Sequence, residues 1–318
     1  MPTQANQPLP ADHELRGYRI RKVLSSGGFS IVYLADAENG APVAIKEYLP
    51  STLSLRAPGE VRPAIAEKDL QAFGYGMQCF FEEGRSLAGL THSNIVRVLD
   101  FFRANDTAYL VMRYERGRTL QEHVRQHRGP IKEEFIRRIM ALLLNGLREV
   151  HANKLLHLDI KPGNIYVRND GTPVLIDFGA ARQALTEQAP RLRPMYTPGY
   201  AAPEQYGSRE SLGPWSDIYS VGATMYSCLA AAAPPPADQR QDQDGYIQAR
   251  QRWTGKYSDH LLQTIDWCMR LDHQRRPQSV FALQKVLLGE RDPTASLVTR
   301  TADFRALILK LSAWRNER

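Results

Sequence analysis

The apolar positions near the start of the chain have a pattern typical of β-strands. Tyr18, Ile20 and Val23 form one such pattern, and a second apolar run covers residues 29 to 34. Residues 25 to 28, Ser-Ser-Gly-Gly, separate the two runs and favour a turn. This pattern predicts a hairpin of two antiparallel strands.

Further along, the period changes to the three- or four-residue spacing of amphipathic helices. One apolar face covers residues 64 to 89, and a second covers residues 135 to 150. A short apolar run at residues 173 to 176 predicts a buried strand. Near the end of the chain, the apolar side chains that would share one face of a further helix are Phe304, Leu307, Ile308, Leu311 and Trp314.

Polar residues suited to phosphoryl transfer are concentrated on either side of the short predicted strand. Residues 157 to 164 read His-Leu-Asp-Ile-Lys-Pro-Gly-Asn, and residues 177 to 179, directly after the strand, read Asp-Phe-Gly. Phosphoryl transfer needs a carboxylate that orients the attacking hydroxyl, a cation near the transferred group, and oxygen ligands for Mg²⁺. The side chains that meet these needs are Asp159, Lys161, Asn164 and Asp177.

The order and spacing of these motifs resemble the protein kinase superfamily, in particular the eukaryotic-like Ser/Thr kinases that also occur in bacteria. Residues 43 to 46, Val-Ala-Ile-Lys, are similar to the strand whose lysine holds the α- and β-phosphates of ATP. Glu83 is similar to the glutamate of helix αC that pairs with this lysine. Residues 202 to 204, Ala-Pro-Glu, resemble the end of the activation segment, and Asp217 and Arg276 stand where family members brace the larger lobe.

The resemblance covers roughly residues 18 to 289 and implies the bilobal α+β fold of protein kinases. A small N-lobe of mostly antiparallel strands with helix αC is expected over residues 18 to 115, hinge included. A larger, mainly α-helical C-lobe is expected over residues 116 to 290. Residues 1 to 17 are expected to form a flexible arm, and residues 291 to 318 a tail with the amphipathic helix.

The resemblance also implies an ATP site between the lobes, with Mg²⁺ or alternatively Mn²⁺ as the metal. Lys46 would hold the inner phosphates, and Lys161 would lie near the γ-phosphate. Asn164 and Asp177 would bind the metal, and Asp159 would accept the proton of the attacking hydroxyl. The other residues implied to contact the nucleotide are Leu24, Gly27, Gly28, Phe29, Val32, Ala44, Met112, Arg113, Tyr114 and Tyr166.

The turn of the first hairpin is the expected position of the phosphate loop, which we define as residues 25 to 30. The family pattern has three glycines, but Ser25 and Ser30 replace the first and the third, while Gly27 retains the central one. Small serines still let backbone N–H groups approach phosphates, at some cost in conformational freedom. Phe29 would cap the phosphates from above.

Residues 47 to 70 form a longer segment than the family usually has between the phosphate-binding lysine and helix αC. The segment contains Pro50, Pro58 and Pro63, which favour turns. We interpret it as an insertion, followed by an αC helix that is extended or preceded by another helix. Burial of a thin N-lobe core is the favoured role of that helix, with regulatory docking as the alternative.

The residue before Asp159 departs from family members that are regulated by phosphorylation of the activation loop. Those kinases carry arginine, whose charge-assisted hydrogen bonds hold the loop phosphate, whereas Leu158 cannot form them. We therefore expect activity that does not depend on a loop phosphate, with Thr186 as the expected autophosphorylation site. Lys161 together with Thr197, which stands where family members contact the catalytic loop, resembles the Ser/Thr-specific pattern.

Composition agrees with a two-lobed cytoplasmic protein. A chain of 318 residues with 43% hydrophobic content can bury two cores. The three cysteines are widely separated, which predicts neither a disulfide framework nor a zinc site. Residues 1 to 17 lack the pattern of a signal peptide, and no apolar run is long enough to span a membrane.

The net charge of +7 does not by itself indicate nucleic-acid binding, because the basic residues are scattered and are not interleaved with aromatic residues. We interpret the charge as a solvated basic surface, with selection of acidic protein partners as a hypothesis. The C-terminal helix has basic flanks at Arg305, Lys310 and Arg315. Docking on the kinase lobes or pairing with a second copy is favoured over binding to a membrane surface.

Two other functions fit parts of the sequence. A pseudokinase or nucleotide-binding scaffold would explain Ser25, Ser30 and Leu158, but the residues that bind ATP and metal in the family are all present. A small-molecule kinase would generally lack the Ala-Pro-Glu motif and the residues that brace the larger lobe. The favoured function is transfer of the γ-phosphoryl group of ATP to Ser/Thr hydroxyls of protein substrates.

Overall fold

The computed structural model of the chain describes residues 6–178, 196–207 and 211–289, which form a β-rich N-lobe and a helical C-lobe. The strands are β1 (Glu14–Leu15), β2 (Tyr18–Ser26), β3 (Ser30–Asp36), β4 (Pro42–Tyr48), β5 (Ser54–Leu55), β6 (Ala64–Ile65), β7 (Val98–Ala104), β8 (Thr107–Arg113), β9 (Gly117–Thr119), β10 (Ile165–Arg168) and β11 (Pro173–Leu175). The helices are α1 (Leu70–Ala88), α2 (Leu120–Gln126), α3 (Glu133–Ala152), α4 (Pro214–Ala230), α5 (Ala237–Asp242), α6 (Ala249–Trp253), α7 (Asp259–Cys268) and α8 (Val280–Leu287). This is the bilobal α+β architecture that the sequence predicted.

The large sheet of the N-lobe is antiparallel, with the strand order β1-β2-β3-β4-β8-β7. Alternate side chains of a strand point to opposite faces of a sheet. Ile45 of β4 is buried on the outer face, whereas Ala44 and Lys46 lie on the face that looks toward α1 and the C-lobe. Lys46 is paired in register with Val32, and Ala44 with Met112. These candidate nucleotide contacts therefore share one face.

Helix α1 is the αC helix expected from the sequence, and it is continuous after a preceding 3-10 turn at Glu67–Asp69. Its buried side chains Phe73, Phe80 and Leu87 recur at every second turn and pack against the sheet. A Cβ atom on Gly84 would lie 2.8 Å from Leu110 Cδ1 on β8. Glycine at this position therefore allows the helix to approach the sheet closely.

Residues 6 to 17, predicted as part of a flexible arm, are instead packed on the N-lobe. Leu9 and Leu15 are buried in the core on the outer face of the sheet, and β1 pairs with β2. The backbone N–H of Leu9 also donates to the hydroxyl of Tyr33 at 3.1 Å. The prediction failed because two isolated leucines in a polar segment show no periodicity. Residues 1 to 5 lie outside the described residues.

The insertion contains the short β5–β6 ladder and is held to the sheet by a buried ion pair. Arg56 and Glu47 are both fully buried, and their two N···O distances are 2.6 and 2.7 Å. Tyr33 and Tyr109 each donate to the same carboxylate at 2.7 Å. Burial and the charge of Glu47 raise the pKa of both tyrosines, so their hydroxyls stay protonated. Arg56 Nε also donates to the carbonyl of Gln7 at 2.7 Å, which ties the N-terminal segment to the insertion.

In the C-lobe, α3 is the amphipathic helix that the sequence predicted, and α4 is buried on nearly all sides. A second antiparallel sheet has the order β11-β10-β9. The C-terminal end of α3, the start of β10 and the end of β11 flank residues 157 to 164, the catalytic loop. No helix within the described ranges is long and apolar enough to cross a membrane. The predicted C-terminal helix lies outside the described residues.

Substitution of Arg56 by methionine is expected to lower the free energy of unfolding by about 3–5 kcal/mol, because Glu47 would remain buried without its cation. The matched control is Arg62→Met, which removes the ion pair between Arg62 and Asp106. Their side chains are 72% and 65% exposed, respectively. That control should change stability by less than about 1 kcal/mol. Urea unfolding of both variants measures the difference, and equal effects would contradict a structural role for the buried pair.

Candidate active site

The catalytic loop brings Asp159 into a set of hydrogen-bond donors. Lys161 Nζ lies 2.9 and 3.1 Å from the two carboxylate oxygens, and Asn164 Nδ2 donates to Oδ2 at 2.7 Å. The hydroxyl of Thr197 donates to Oδ1 at 2.7 Å and accepts from Lys161 Nζ at 2.7 Å. Asp159 is only 5% exposed. Its carboxylate is therefore fixed in position and compensated by a cation.

Asp177 follows β11, and its carboxylate reaches the N-lobe. Lys46 Nζ lies 2.9 Å from Asp177 Oδ1 and 5.6 Å from the ring centroid of Phe80 on α1. The side chain of Lys46 is buried. The pairing of Lys46 with Glu83 of α1 remains a prediction, and the ion pair seen for Lys46 is the one with Asp177.

The backbone at Leu158 has a left-handed conformation, with φ of +60°, which is unfavourable for a residue with a Cβ atom. Asp217 of α4 accepts hydrogen bonds from the N–H groups of His157 and Leu158 at 2.9 and 2.8 Å. Gln205 Nε2 donates to the carbonyl of Leu158 at 2.9 Å. Side chains from two other segments thus hold both backbone groups of Leu158. Asp177 has a similar conformation, with φ of +58°.

Asp217 is fully buried and remains an acceptor because donors surround it. Its third partner is His151 Nε2, at 2.7 Å. Burial acts to raise the pKa of Asp217, but the hydrogen bond and charge of His151 and the hydrogen bond from the backbone N–H of His157 lower it below its usual range. These three hydrogen bonds are the physical basis of the bracing role that the family resemblance implies for Asp217. The companion residue Arg276 pairs with Glu204 at 2.8 and 3.0 Å.

His157 is fully buried and connects the catalytic loop to the segment that carries Asp177. Its Nδ1 accepts the N–H of Asp159 at 3.2 Å, and its Nε2 lies 3.1 Å from the carbonyl of Ile176. These partners require a neutral ring with the proton on Nε2. The ring packs 4.3 Å from the ring of Phe178. His157 therefore positions the groups around it.

The residues implied to contact the nucleotide have different surroundings. Leu24 is 40% exposed on β2, and Met112 is buried on β8. Val32, Ala44, Tyr114 and Tyr166 are half-buried, and Arg113 is exposed. Leu24, Val32 and Ala44 belong to the N-lobe sheet, whereas Tyr166 belongs to β10 of the C-lobe.

Phe29 does not occupy the position expected for a residue that caps phosphates from above. Its side chain is 8% exposed and packs edge-on against Tyr48, with ring centroids 5.2 Å apart. Burial of an aromatic ring in the N-lobe core is favoured over its exposure at the tip of the phosphate loop. Neither Gly27 nor Gly28 has a positive φ, and a Cβ atom on either would meet its nearest neighbour at 3.8 or 3.7 Å. This loop conformation therefore tolerates small side chains.

Asn164 and Asp177 offer oxygen atoms suited to Mg²⁺. The amide nitrogen of Asn164 donates to the carboxylate and carbonyl of Asp159 and to the carbonyl of Asp177. These bonds fix the amide orientation and leave Oδ1 as the acceptor. Carboxylate and amide oxygens are the ligands that hard divalent cations prefer. The donor set fits a magnesium ion.

Sequence reasoning missed Gln205 and His151, which act on the catalytic loop through Leu158 and Asp217. Gln205 directly follows the Ala-Pro-Glu motif, and its Oε1 accepts the N–H of Ala202 at 2.9 Å. An amide side chain can donate and accept hydrogen bonds at the same time. A glutamine directly after the Ala-Pro-Glu motif was therefore the sequence feature that could have indicated this role. His151 lies in the last turn of α3, shortly before the catalytic loop.

Comparisons with known proteins agree with this geometry. The family model described as protein kinase domain matches residues 18–288, so the chain belongs to the protein kinase family. The serine/threonine-protein kinase PknA of Nostoc sp. is 32% identical over 68% of this chain, and human Nek2, also a serine/threonine-protein kinase, is 32% identical over 67%. The chain spans 37% and 50% of the lengths of these relatives. A solved structure, the apo form of PpkA-294, has 32% identity and a TM-score of 0.81, covering 88% of this chain and 99% of that chain.

Substitution of Asp217 by asparagine is expected to lower the free energy of unfolding by about 1–3 kcal/mol at neutral pH, because buried N–H groups lose a charged acceptor. The pKa of Asp217 is lowered in the folded state, so its carboxylate stabilises the fold fully at pH values above the pKa of the unfolded chain, about 3.9. This stabilisation is lost as the pH falls through the pKa of the folded state. The difference between wild type and variant should therefore shrink below about pH 4. Urea midpoints across this range measure it.

The control is Asp242→Asn, at an exposed position in α5. This change should alter stability by less than about 0.5 kcal/mol at every pH. A pH-independent difference for Asp217→Asn would contradict the ionised state assigned to the buried carboxylate.

Proposed function

We propose that the chain is an ATP-dependent Ser/Thr protein kinase. The observation that carries the proposal is the carboxylate of Asp159, which is held by Lys161, Asn164 and Thr197. A general base must lie within hydrogen-bond distance of the hydroxyl it deprotonates, and the hydroxyl of Thr197 already donates to Asp159 at 2.7 Å. A Ser or Thr hydroxyl of a substrate would use the same carboxylate.

Each residue of the site has a role in this mechanism. Asp159 orients the attacking hydroxyl and accepts its proton, while Lys161 supplies positive charge near the transferred group. Lys46 is buried at the lobe interface and would exchange its contact with Asp177 for the inner phosphates. Asn164 and Asp177 would hold Mg²⁺, which neutralises charge on the phosphates when bound. The protein contributes mainly positioning and charge compensation.

The preference for Ser and Thr acceptors is part of the proposal. Lys161 and Thr197 bond to each other and to Asp159, so the surroundings of the catalytic carboxylate depend on this pair. The sequence pattern of these two residues resembles that of Ser/Thr-specific kinases. We propose further that the substrates are proteins with Ser/Thr hydroxyls and that the kinase acts in the cytoplasm.

Asp159→Asn and Asp177→Asn are expected to slow strongly the addition of phosphate to the chain and to a generic substrate such as casein, with a residual rate that can still be measured. Loss of a general base lowers rates by about 10² to 10⁴-fold, and Asp177→Asn removes a charged metal ligand. Intact-mass measurement over time with Mg²⁺ and ATP gives the rate of phosphate addition. The control variant Glu60→Gln removes an exposed carboxylate of the insertion and should react as wild type does.

No phosphate addition by wild type, to itself or to casein, would contradict the proposal. Thermal stabilisation by ATP in that case would favour the second candidate, a nucleotide-binding scaffold. A scaffold function would then explain why serines replace glycines in the phosphate loop and why leucine stands at position 158.

Activity is also proposed to be independent of a phosphate on the activation loop. The supporting observation is that Leu158 has no charged group, and its backbone is held by Asp217 and Gln205 instead. The expected autophosphorylation site, Thr186, lies outside the described residues.

Thr186→Ala is therefore expected to retain the wild-type rate of casein phosphorylation to within about twofold, since a phosphate at this position would find no arginine beside Asp159. Initial rates of casein phosphorylation by wild type and variant, both purified without prior exposure to ATP, provide the comparison. A loss of casein phosphorylation in the variant would contradict independence from the loop phosphate.

A further inference from the structure

The phosphate loop is tied to the insertion at its tip. The carbonyl oxygen of Gly28 accepts two hydrogen bonds from Ser51, from the backbone N–H at 2.8 Å and from Oγ at 3.1 Å. The neighbouring carbonyl of Phe29 accepts the N–H of Leu49 at 3.0 Å. Within the loop, Gly27 N–H donates to the carbonyl of Ser30 at 3.0 Å. The loop is therefore held both by its own turn and by the chain that follows β4.

These bonds fix the orientation of the peptide between Gly28 and Phe29. In a trans peptide, the carbonyl and the following N–H point in opposite directions. Because the carbonyl of Gly28 faces Ser51, the N–H of Phe29 faces away from the insertion. The buried ring of Phe29 against Tyr48 adds a side-chain anchor to the same peptide.

The anchor residue is itself held in a compact turn. The carbonyl of Pro50 accepts the N–H groups of Leu53 and Ser54, each at 3.0 Å, and the hydroxyl of Ser54 at 2.9 Å. Leu53 and Ser54 are buried, and the fully buried Arg56 follows them. The ion pair of Arg56 thus fixes the segment from which Ser51 reaches the loop.

We propose that Ser51 is a positioning residue for ATP, which holds the backbone of the phosphate loop in the orientation that binds phosphates. The inference rests on the proposed kinase function. Backbone N–H groups bind phosphates only when they converge on them, and a loop that must be ordered on binding loses affinity. The contact from the insertion supplies this order in a loop whose flanking glycines are replaced by Ser25 and Ser30.

Two variants separate the hydrogen bonds. Ser51→Ala removes the Oγ donor, and Ser51→Pro removes both donors. Position 51 follows the first residue of the turn that Pro50 and Leu53 close, where proline is favoured in β-turns. The matched control is Thr52→Ala, at an exposed position in the same turn whose side chain is not part of the contact with Gly28.

The KM for ATP is expected to rise about threefold in Ser51→Ala and about tenfold in Ser51→Pro, with kcat within about twofold of wild type. Thr52→Ala should match wild type in both constants. Amide hydrogen exchange of residues 26 to 30, measured without ATP, should become faster in Ser51→Pro and remain unchanged in the control. Thermal melting verifies that each variant is folded, and Ser51→Ala keeps the test decisive if Ser51→Pro does not fold.

The outcome separates this inference from the proposed function. Unchanged KM and unchanged loop exchange in both Ser51 variants would overturn the role of Ser51 while the kinase remains active. If wild type transfers no phosphate, the proposed kinase function fails, and calorimetric affinities for Mg²⁺-ATP replace KM in the comparison. Equal affinities and equal exchange rates would then overturn the positioning role as well, whereas weaker binding with faster exchange would support it.

Discussion

The arrangement of the active site depends on one buried anion, the carboxylate of Asp217. It accepts the N–H groups of His157 and Leu158 and so holds Leu158 in a left-handed conformation that a residue with a Cβ atom otherwise avoids. The next residue in the chain is Asp159, whose side chain is directed by this backbone. The carboxylate that carries the proposed chemistry is therefore positioned by a second carboxylate that does not touch substrate. A kink of the chain, enforced by an anion on α4, gives the catalytic loop its shape.

The N-lobe uses a second buried anion for a different purpose. Glu47 compensates Arg56, and this pair holds the insertion against the sheet and the N-terminal segment against the insertion. The cost of burying two charges is offset by their two-point geometry and by the tyrosine hydroxyls that complete the hydrogen bonding. The consequence for the site is indirect, because the segment that Arg56 fixes also carries Ser51, which contacts the phosphate loop. The buried ion pair thus influences the phosphate loop indirectly, through the backbone segment that joins Arg56 to Ser51.

The sequence predicted the parts of this structure that depend on local pattern. The hairpin, α1 and α3 follow from periodicity, and the two lobes follow from the resemblance to protein kinases that the motifs carry. The catalytic loop does bring Asp159, Lys161 and Asn164 together. The errors concern long-range contacts. The packing of residues 6 to 17 depends on Leu9 and on the ion pair of Arg56, and Phe29 is buried because Tyr48 is adjacent in the folded sheet. Lys46 contacts both Asp177 and the ring of Phe80, which lie far from it in the chain, and no linear spacing could reveal these contacts.

The most direct test of this account is a double-mutant cycle on kcat for phosphoryl transfer to casein, with Asp217→Asn, Asp159→Asn and the double variant. If Asp217 acts by positioning Asp159, its substitution should lower kcat in the wild-type background and have almost no further effect once Asp159 is asparagine. Strong non-additivity is therefore the predicted result. Additive losses in the double variant would contradict the account, because Asp217 would then contribute by a route independent of the catalytic carboxylate.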